Sequence, residues 1–319
     1  MPLTTLLVSH PAFLDHQTPS GHPERADRIR VINDKLKGHR FEALLRDEAP
    51  EADQVMLERC HPPAYIQAIK ESCPASGIAR LDADTWLSPG SWEAMLRGAG
   101  AATHAVDQVM SGRVRNAFAA IRPPGHHAEQ QTAMGFCFFN NAAIAARHAQ
   151  AVHGIERVAI IDWDVHHGNG TQDIFWSDPS VLYVSTHEMP LYPGTGAADE
   201  TGAFGTILNV PMQAGDGSEA FRAAFDDVVL PRLHEFRPDF LIISAGFDAH
   251  RDDPLGNLQL DEADFAWATR QLIALADIHA HARIVSVLEG GYDLQGLALS
   301  VAAHVEALMS GDVGARSTT

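Results

Sequence analysis

Four short strings in this chain gather the residue types of metal-assisted acid–base chemistry on an acyl group. In Arg122-Pro123-Pro124-Gly125-His126-His127, two imidazoles follow a rigid Pro-Pro-Gly turn. A neutral imidazole there is a natural general base, provided a second partner sets its tautomer. Asp162, Asp164 and His166 alternate at a spacing of two, so an extended backbone throws all three side chains to one side. Asp164 and His166, joined by Asp248 from Ala245-Gly246-Phe247-Asp248, make two carboxylates and one imidazole. That set suits zinc and leaves a fourth position open, as a catalytic site requires. Asp162 and Asn169 are then free to orient the histidine pair. Tyr292 follows Gly290-Gly291, two residues that permit a tight turn and can aim a phenol at a developing oxyanion. Each string has a blander use as a turn cap, a solvated histidine or a loop tyrosine. Their convergence is the signal.

Convergence demands elements that bring the strings together. Apolar or β-branched runs predict strands over Thr4–Val8, Ala117–Ile121, Val158–Ile161, Val181–Ser185, Ile207–Val210, Phe240–Ser244 and Ile284–Leu288. Between them lie helical patterns: one opened by Ser88-Pro89 and running towards Met110, an alanine-rich one over Asn141–Ala151, and an amphipathic one over Asp261–Ala280. Alternation of this kind predicts one mostly parallel sheet covered on both faces. In such sheets ligands bind beyond the carboxyl ends of the strands. Each chemical string follows one predicted strand, so parallel strands would deliver all of them to one edge. No repeat or long linker interrupts the pattern. The expectation is a single domain over residues 1–310 and a frayed polar tail over 311–319.

Composition narrows the class further. The 319 residues are 45% hydrophobic, enough for a large core, and 23 basic side chains face 41 acidic ones for a formal net charge of −18. Such a chain lacks the basic footprint that phosphates need, which argues against a nucleic-acid partner. No apolar run approaches a membrane span, and Met1–His10 carries no signal-peptide pattern. Cys60, Cys73 and Cys137 form no CxxC pair, which predicts reduced thiols and a cytoplasmic location. Eighteen histidines against four tyrosines again point towards metal.

Longer strings carry a resemblance. RPPGHHAE at Arg122–Glu129, GFCFFNN at Gly135–Asn141, DWDVHHGNGTQ at Asp162–Gln172, SAGFDAHRDDPLG at Ser244–Gly256 and LEGGYDL at Leu288–Leu294 resemble the histone deacetylase family. The likeness is to its class II branch and the related bacterial amidohydrolases, and His22-Pro23-Glu24-Arg25 looks like the family's N-terminal string. The resemblance implies an arginase–deacetylase fold with a parallel sheet of about eight strands flanked by helices. It implies zinc-dependent hydrolysis of an acylated lysine, in a peptide or protein, or of a similar small acylated amine. Asp164, His166 and Asp248 would hold one Zn2+; His127 would act as base and then acid; His126, oriented by Asp162, would be its electrostatic partner. Asn169 would face His127, where class I members carry aspartate, and Tyr292 would donate to the oxyanion. The family's tunnel would use Gly135 and Phe136 for one wall and Tyr192 for the other, with Asp84 holding the substrate backbone. A structural K+ would involve Asp162, Asp164, His166, Ser185 and Thr186.

Rival readings remain at this level. Acetylpolyamine deacetylases share the catalytic set, although the polyamine-selective relatives carry glutamate after Asp-Pro where this chain has Leu255. An arginase-like site with two manganese ions would need further acidic ligands. A non-catalytic acyl-lysine binder would show a damaged zinc or tyrosine position, and here each is filled. Assembly into a homo-oligomer stays open.

Overall fold

A computed structural model describes residues 4–310; the tail at 311–319 lies outside the described residues. Its strands are β1 (Thr5–Ser9), β2 (Leu45–Glu48), β3 (Ala79–Arg80), β4 (Trp86–Leu87), β5 (Asn116–Ala119), β6 (Val158–Asp162), β7 (Val181–Glu188), β8 (Ile207–Met212), β9 (Phe240–Ala245) and β10 (Ile284–Leu288). The helices are α1 (Asp27–Lys35), α2 (Gln54–Glu58), α3 (Pro63–Ser72), α4 (Ser91–Met110), α5 (Asn141–His153), α6 (Asn169–Phe175), α7 (Ser218–Ala224), α8 (Leu230–Phe236), α9 (Glu262–His279) and α10 (Leu294–Ser310).

Eight strands form one sheet in the order β2-β1-β5-β10-β9-β6-β7-β8, every neighbouring pair parallel. Every residue of β5, β6, β7, β9 and β10 is buried, as expected of strands covered on both faces. Helix α4 pairs with α5 and packs on β1, β5 and β10, while α9 pairs with α10 and α10 with α1. The arginase–deacetylase architecture expected above is the one observed.

All seven expected strands form. The eighth, β2, reads Leu-Arg-Asp-Glu with alternate residues exposed. It is an edge strand, and its charges hide it from any apolar pattern. Ser88-Pro89 does not open α4; Gly90 is the residue before its first turn. The Ser88 hydroxyl instead accepts the Gln17 amide at 2.8 Å, and the space beside Gly90 is filled by the Asp15 backbone. Tertiary docking takes the cap. Helix α9 does begin as expected, with Asp261 and Asp264 forming a reciprocal capping box.

Topology places the chemistry. Strands β5, β10, β9 and β6 are consecutive in the sheet, yet the chain runs from β5 to β6 before filling the gap. That reversal opens a crevice at the carboxyl edge. The four chemical strings emerge there side by side.

Candidate active site

The end of β6 supplies Asp164 and His166, and the end of β9 supplies Asp248. His166 Nδ1 lies 3.1 Å from Asp164 Oδ1 and 3.1 Å from Asp248 Oδ2, with both carboxylates fully buried. Backbone amides hold the carboxylates in place: Gly290 N–H donates to Asp164 Oδ2 at 2.8 Å, and Val165 N–H to Asp248 Oδ1 at 2.9 Å. Gly290 and Gly246 must be glycine, because a Cβ at either would overlap these carboxylates. Burial opposes charge on His166, but hydrogen bonds to Asp164 and Asp248 outweigh it and push it up to about 10. Burial and the Asp164 charge push Asp248 up to about 7. The group competes for positive charge at its centre, and its donors fit a divalent metal ion.

The histidine pair has been split by its partners. His126 Nδ1 donates to Asp162 Oδ2 at 3.0 Å, and its Nε2 lies 3.7 Å from Asp164 Oδ2. Burial works against a charged ring, but the carboxylates of Asp164 and Asp162 outweigh it and raise His126 well above the usual range. His127 Nδ1 instead meets the amide oxygen of Asn169 at 2.9 Å, whose Nδ2 donates to Glu129 at 2.9 Å. Nδ1 of His127 therefore carries the proton and Nε2 keeps its lone pair. Burial first, then His126 and His166, holds His127 well below its usual value. One ring is kept charged and its neighbour neutral, a division suited to a general base beside an electrostatic partner.

These groups open onto a cavity of about 250 Å³ lined by Asp84, His127, Gly135, Phe136, His166, Leu191, Tyr192, Leu255 and Tyr292. Tyr192 sits 5.1 Å from the His127 ring, centroid to centroid, and Phe136 sits 5.8 Å from Tyr292. All five expected substrate-contact residues thus meet at one opening. Phe136 has φ 68°, a left-handed conformation rare for an aromatic residue, and Gly135 before it has φ 55°. A Cβ on Gly135 would strike the His127 ring. Thr85 supports this wall, accepting the Phe136 amide at 3.2 Å and donating to Asp84 at 3.0 Å. Burial raises the Tyr292 phenol, which Arg28 beneath it offsets only in part, so the hydroxyl stays a donor. Among the described residues, the larger hollow bounded by Arg113, Arg115 and Arg283 gathers no comparable set.

A histone deacetylase domain pattern matches residues 22–308, nearly the whole described chain. This chain belongs to the histone deacetylase family. It is 39% identical over 300 residues to a probable deacetylase of Archaeoglobus fulgidus, covering 92% of this chain and 83% of that one. It is 41% identical to a histone deacetylase-like amidohydrolase of Pseudomonas aeruginosa, covering 89% and 74%. A human polyamine deacetylase is 38% identical, with 91% of this chain matching 45% of that longer one. Among solved structures, the HDA15 HD domain superposes with a TM-score of 0.91 at 39% identity, covering 97% and 89%.

Membership makes this deacetylase-family chain an amide-hydrolysing enzyme, and the structure reveals supporting residues that sequence patterns missed. Glu289 is fully buried and accepts the amides of Gly125 and His126 at 2.7 and 3.1 Å, fixing the histidine turn against β10. A charge closing an apolar strand was its available signal. Arg28 donates to the carbonyls of Gly291 and Glu289, lies 5.0 Å from the Tyr292 ring centre and pairs with Glu24. Nothing in the spacing of α1 announced it. A second group of metal-type ligands, Asp107, His148 and His153, sits on α4 and α5. There Arg59 donates to His148 Nδ1 at 2.7 Å, so His148 Nε2 bears a proton and donates to Asp107. That group is a satisfied helix-to-helix clamp.

Proposed function

We propose that this protein is a zinc-dependent deacylase that removes acetyl or other short acyl groups from the ε-amine of lysine in peptides or proteins. The observation that carries the reading is the cavity itself. Its walls are apolar, from Phe136, Leu191, Tyr192 and Leu255, and it ends on His127, His166 and Tyr292. An aliphatic stem fits the walls and an amide meets the polar end.

Asp164, His166 and Asp248 would hold the metal, which when bound supplies Lewis-acid polarisation of the carbonyl and of the attacking water. His127 Nε2 takes a proton from that water as its oxygen bonds to the acyl carbon. Asn169 keeps the His127 Nδ1 proton in place during this transfer. The Tyr292 hydroxyl donates to the carbonyl oxygen as negative charge develops on it. Protonated His127 then gives its proton to the departing nitrogen while the carbon–nitrogen bond breaks, leaving a carboxylate and an amine. His126, held charged between Asp162 and Asp164, lowers the basicity of His127 and helps it release that proton.

A structural potassium ion is proposed at Asp162, Asp164, His166, Ser185 and Thr186. In its support, the β6–β7 register sets Asp162 opposite Ser185, and Thr186 Oγ1 is buried without a hydrogen-bond partner. A cytoplasmic setting is proposed because Cys60, Cys73 and Cys137 are unpaired. A two-manganese arginase-type site is disfavoured, since the described metal group in the crevice comprises three ligands only.

Acetylpolyamine hydrolysis is the second reading, favoured by the charge of −18. Leu255 at the cavity argues against it, because it offers nothing to a distant ammonium. One screen tests both: purified protein with acetyl-lysine peptides, longer acyl-lysines and acetylpolyamines, before and after chelation and zinc return. The expected result is chelator-sensitive turnover, highest kcat/KM on acyl-lysine. Turnover unaffected by complete metal removal would overturn it.

A further inference from the structure

We propose that Asp253 is a positioning residue that ties the Leu255 gate and the Tyr292 phenol into one unit. Its kinetic consequence rests on the deacylase reading, whereas its geometry does not. Asp253 is 6% exposed, and its carboxylate is spent wholly on backbone amides. Oδ1 accepts Leu255 N–H at 3.0 Å, a local turn over Pro254. Oδ2 reaches across to a different loop, accepting Tyr292 N–H at 2.6 Å and Asp293 N–H at 3.2 Å.

The two loops leave adjacent parallel strands, β9 and β10, whose register ends at Ala245↔Leu288. Just beyond that ladder Phe247 N–H still donates to the Gly290 carbonyl at 3.0 Å, and Asp253 ties the residues farther out. The peptide group joining Gly291 to Tyr292 is gripped at both ends: its carbonyl accepts from Arg28 Nε at 2.6 Å, and its N–H donates to Asp253. Clamping both ends fixes the peptide plane and so the direction in which the Tyr292 side chain leaves the backbone. The next residue, Asp293, begins α10 by accepting Gly296 N–H at 2.6 Å, so the Asp253 charge also faces the positive end of that helix. A shift of the gate and a shift of the phenol therefore share one cause.

Two substitutions separate the halves of the tie. Asp253→Ala removes both. Asp253→Asn keeps one acceptor, which serves best against the paired amides of Tyr292 and Asp293, and sets an NH2 against Leu255 N–H. Site-resolved amide hydrogen exchange on the intact protein reads this without any turnover. Asp253→Ala should speed exchange at Leu255, Tyr292 and Asp293 together, and Asp253→Asn at Leu255 alone. On an acetyl-lysine peptide, Asp253→Ala should lower kcat by roughly 10- to 100-fold with metal content unchanged, the scale of a misplaced reacting group. Within a Tyr292→Phe background the same change should cost less than about threefold, because its route to the chemistry is already gone. Asp253→Asn should hold kcat within about threefold while KM and acyl-length preference move. If Asp253→Ala does not fold, the Asn exchange pattern carries the test. Unaltered exchange at Leu255 in Asp253→Asn, or a fully additive loss in the double variant, overturns the proposal. Absence of turnover by the unmodified protein would defeat the deacylase reading alone, with exchange still deciding the tie.

Discussion

The difference between His126 and His127 is made by their surroundings. The carboxylates of Asp164 and Asp162 favour charge on the first, whereas burial and the neighbouring His126 and His166 keep the second neutral, with the Asn169 amide oxygen fixing its tautomer. Tyr292 divides in the same way between ring and hydroxyl. Tyr292→Phe keeps the contacts to Phe136 and Arg28 and deletes the donor alone. Turnover should fall by roughly 10²–10³, about 2.7–4 kcal/mol, with binding of an uncleaved acyl-lysine far less affected. Steady-state kinetics beside a binding titration check this, and turnover within about threefold would remove Tyr292 from the role. On the proposed reading, Asp248→Ala deletes one of three metal donors, and it frees the Val165 amide. Bound zinc per chain, measured by elemental analysis, should drop well below that of the unmodified protein, and activity with it. Retained zinc and activity would take Asp248 out of the ligand set.

At the scale of elements, the site depends on how helices hold the sheet. His304 of α10 is fully buried, its Nδ1 donating to Thr269 of α9 at 2.7 Å and its Nε2 accepting from Ser286 of β10 at 2.9 Å. Thr269 already donates to the Phe265 carbonyl, which fixes this tautomer and keeps the ring neutral. Burial pushes His304 down to about 3 from an ordinary 6.5. The unfolded chain therefore takes up a proton near pH 6.5 that the folded chain refuses until about pH 3. Stability present above pH 6.5 is lost as pH falls through that window. His304→Leu should be weaker at pH 7 but should lose stability less steeply, by about 1.4 kcal/mol per pH unit between pH 6 and 4. Urea unfolding of both proteins across that range measures it; parallel slopes would show that His304 is not the responsible group.

Over the whole molecule, two electrostatic scales oppose each other. The formal charge of −18 attracts polyamines diffusely, while the cavity presents Leu255. Surface charge is screened over about 8 Å at physiological salt, so the local residue should decide. Leu255→Glu should move kcat/KM towards acetylpolyamines, and the gain should shrink as salt rises. Side-by-side kinetics on purified protein test this. A strong preference of the unmodified enzyme for acetylpolyamines would falsify the argument.

Sequence by itself determined the sheet's seven apolar strands and the four chemical strings that meet in the crevice, because both are written in local spacing, while the residues of the cavity wall were implied by the family resemblance. Strand burial on both faces demands continuous apolar runs, and Asp162, Asp164 and His166 need only an extended backbone to share a side. Even Tyr192, in an irregular loop, reaches the wall that the family resemblance assigned it. Strand order was decided only by tertiary structure. It sets β10 and β9 between β5 and β6 and so joins strings more than a hundred residues apart. The same holds for β2, recruited as an edge despite its charges, and for the helix start that Ser88 was expected to cap. Arg28, Asp253 and Glu289 stayed hidden for a shared reason. Each acts on backbone amides or carbonyls of a distant loop, and those groups are the same whatever the sequence there.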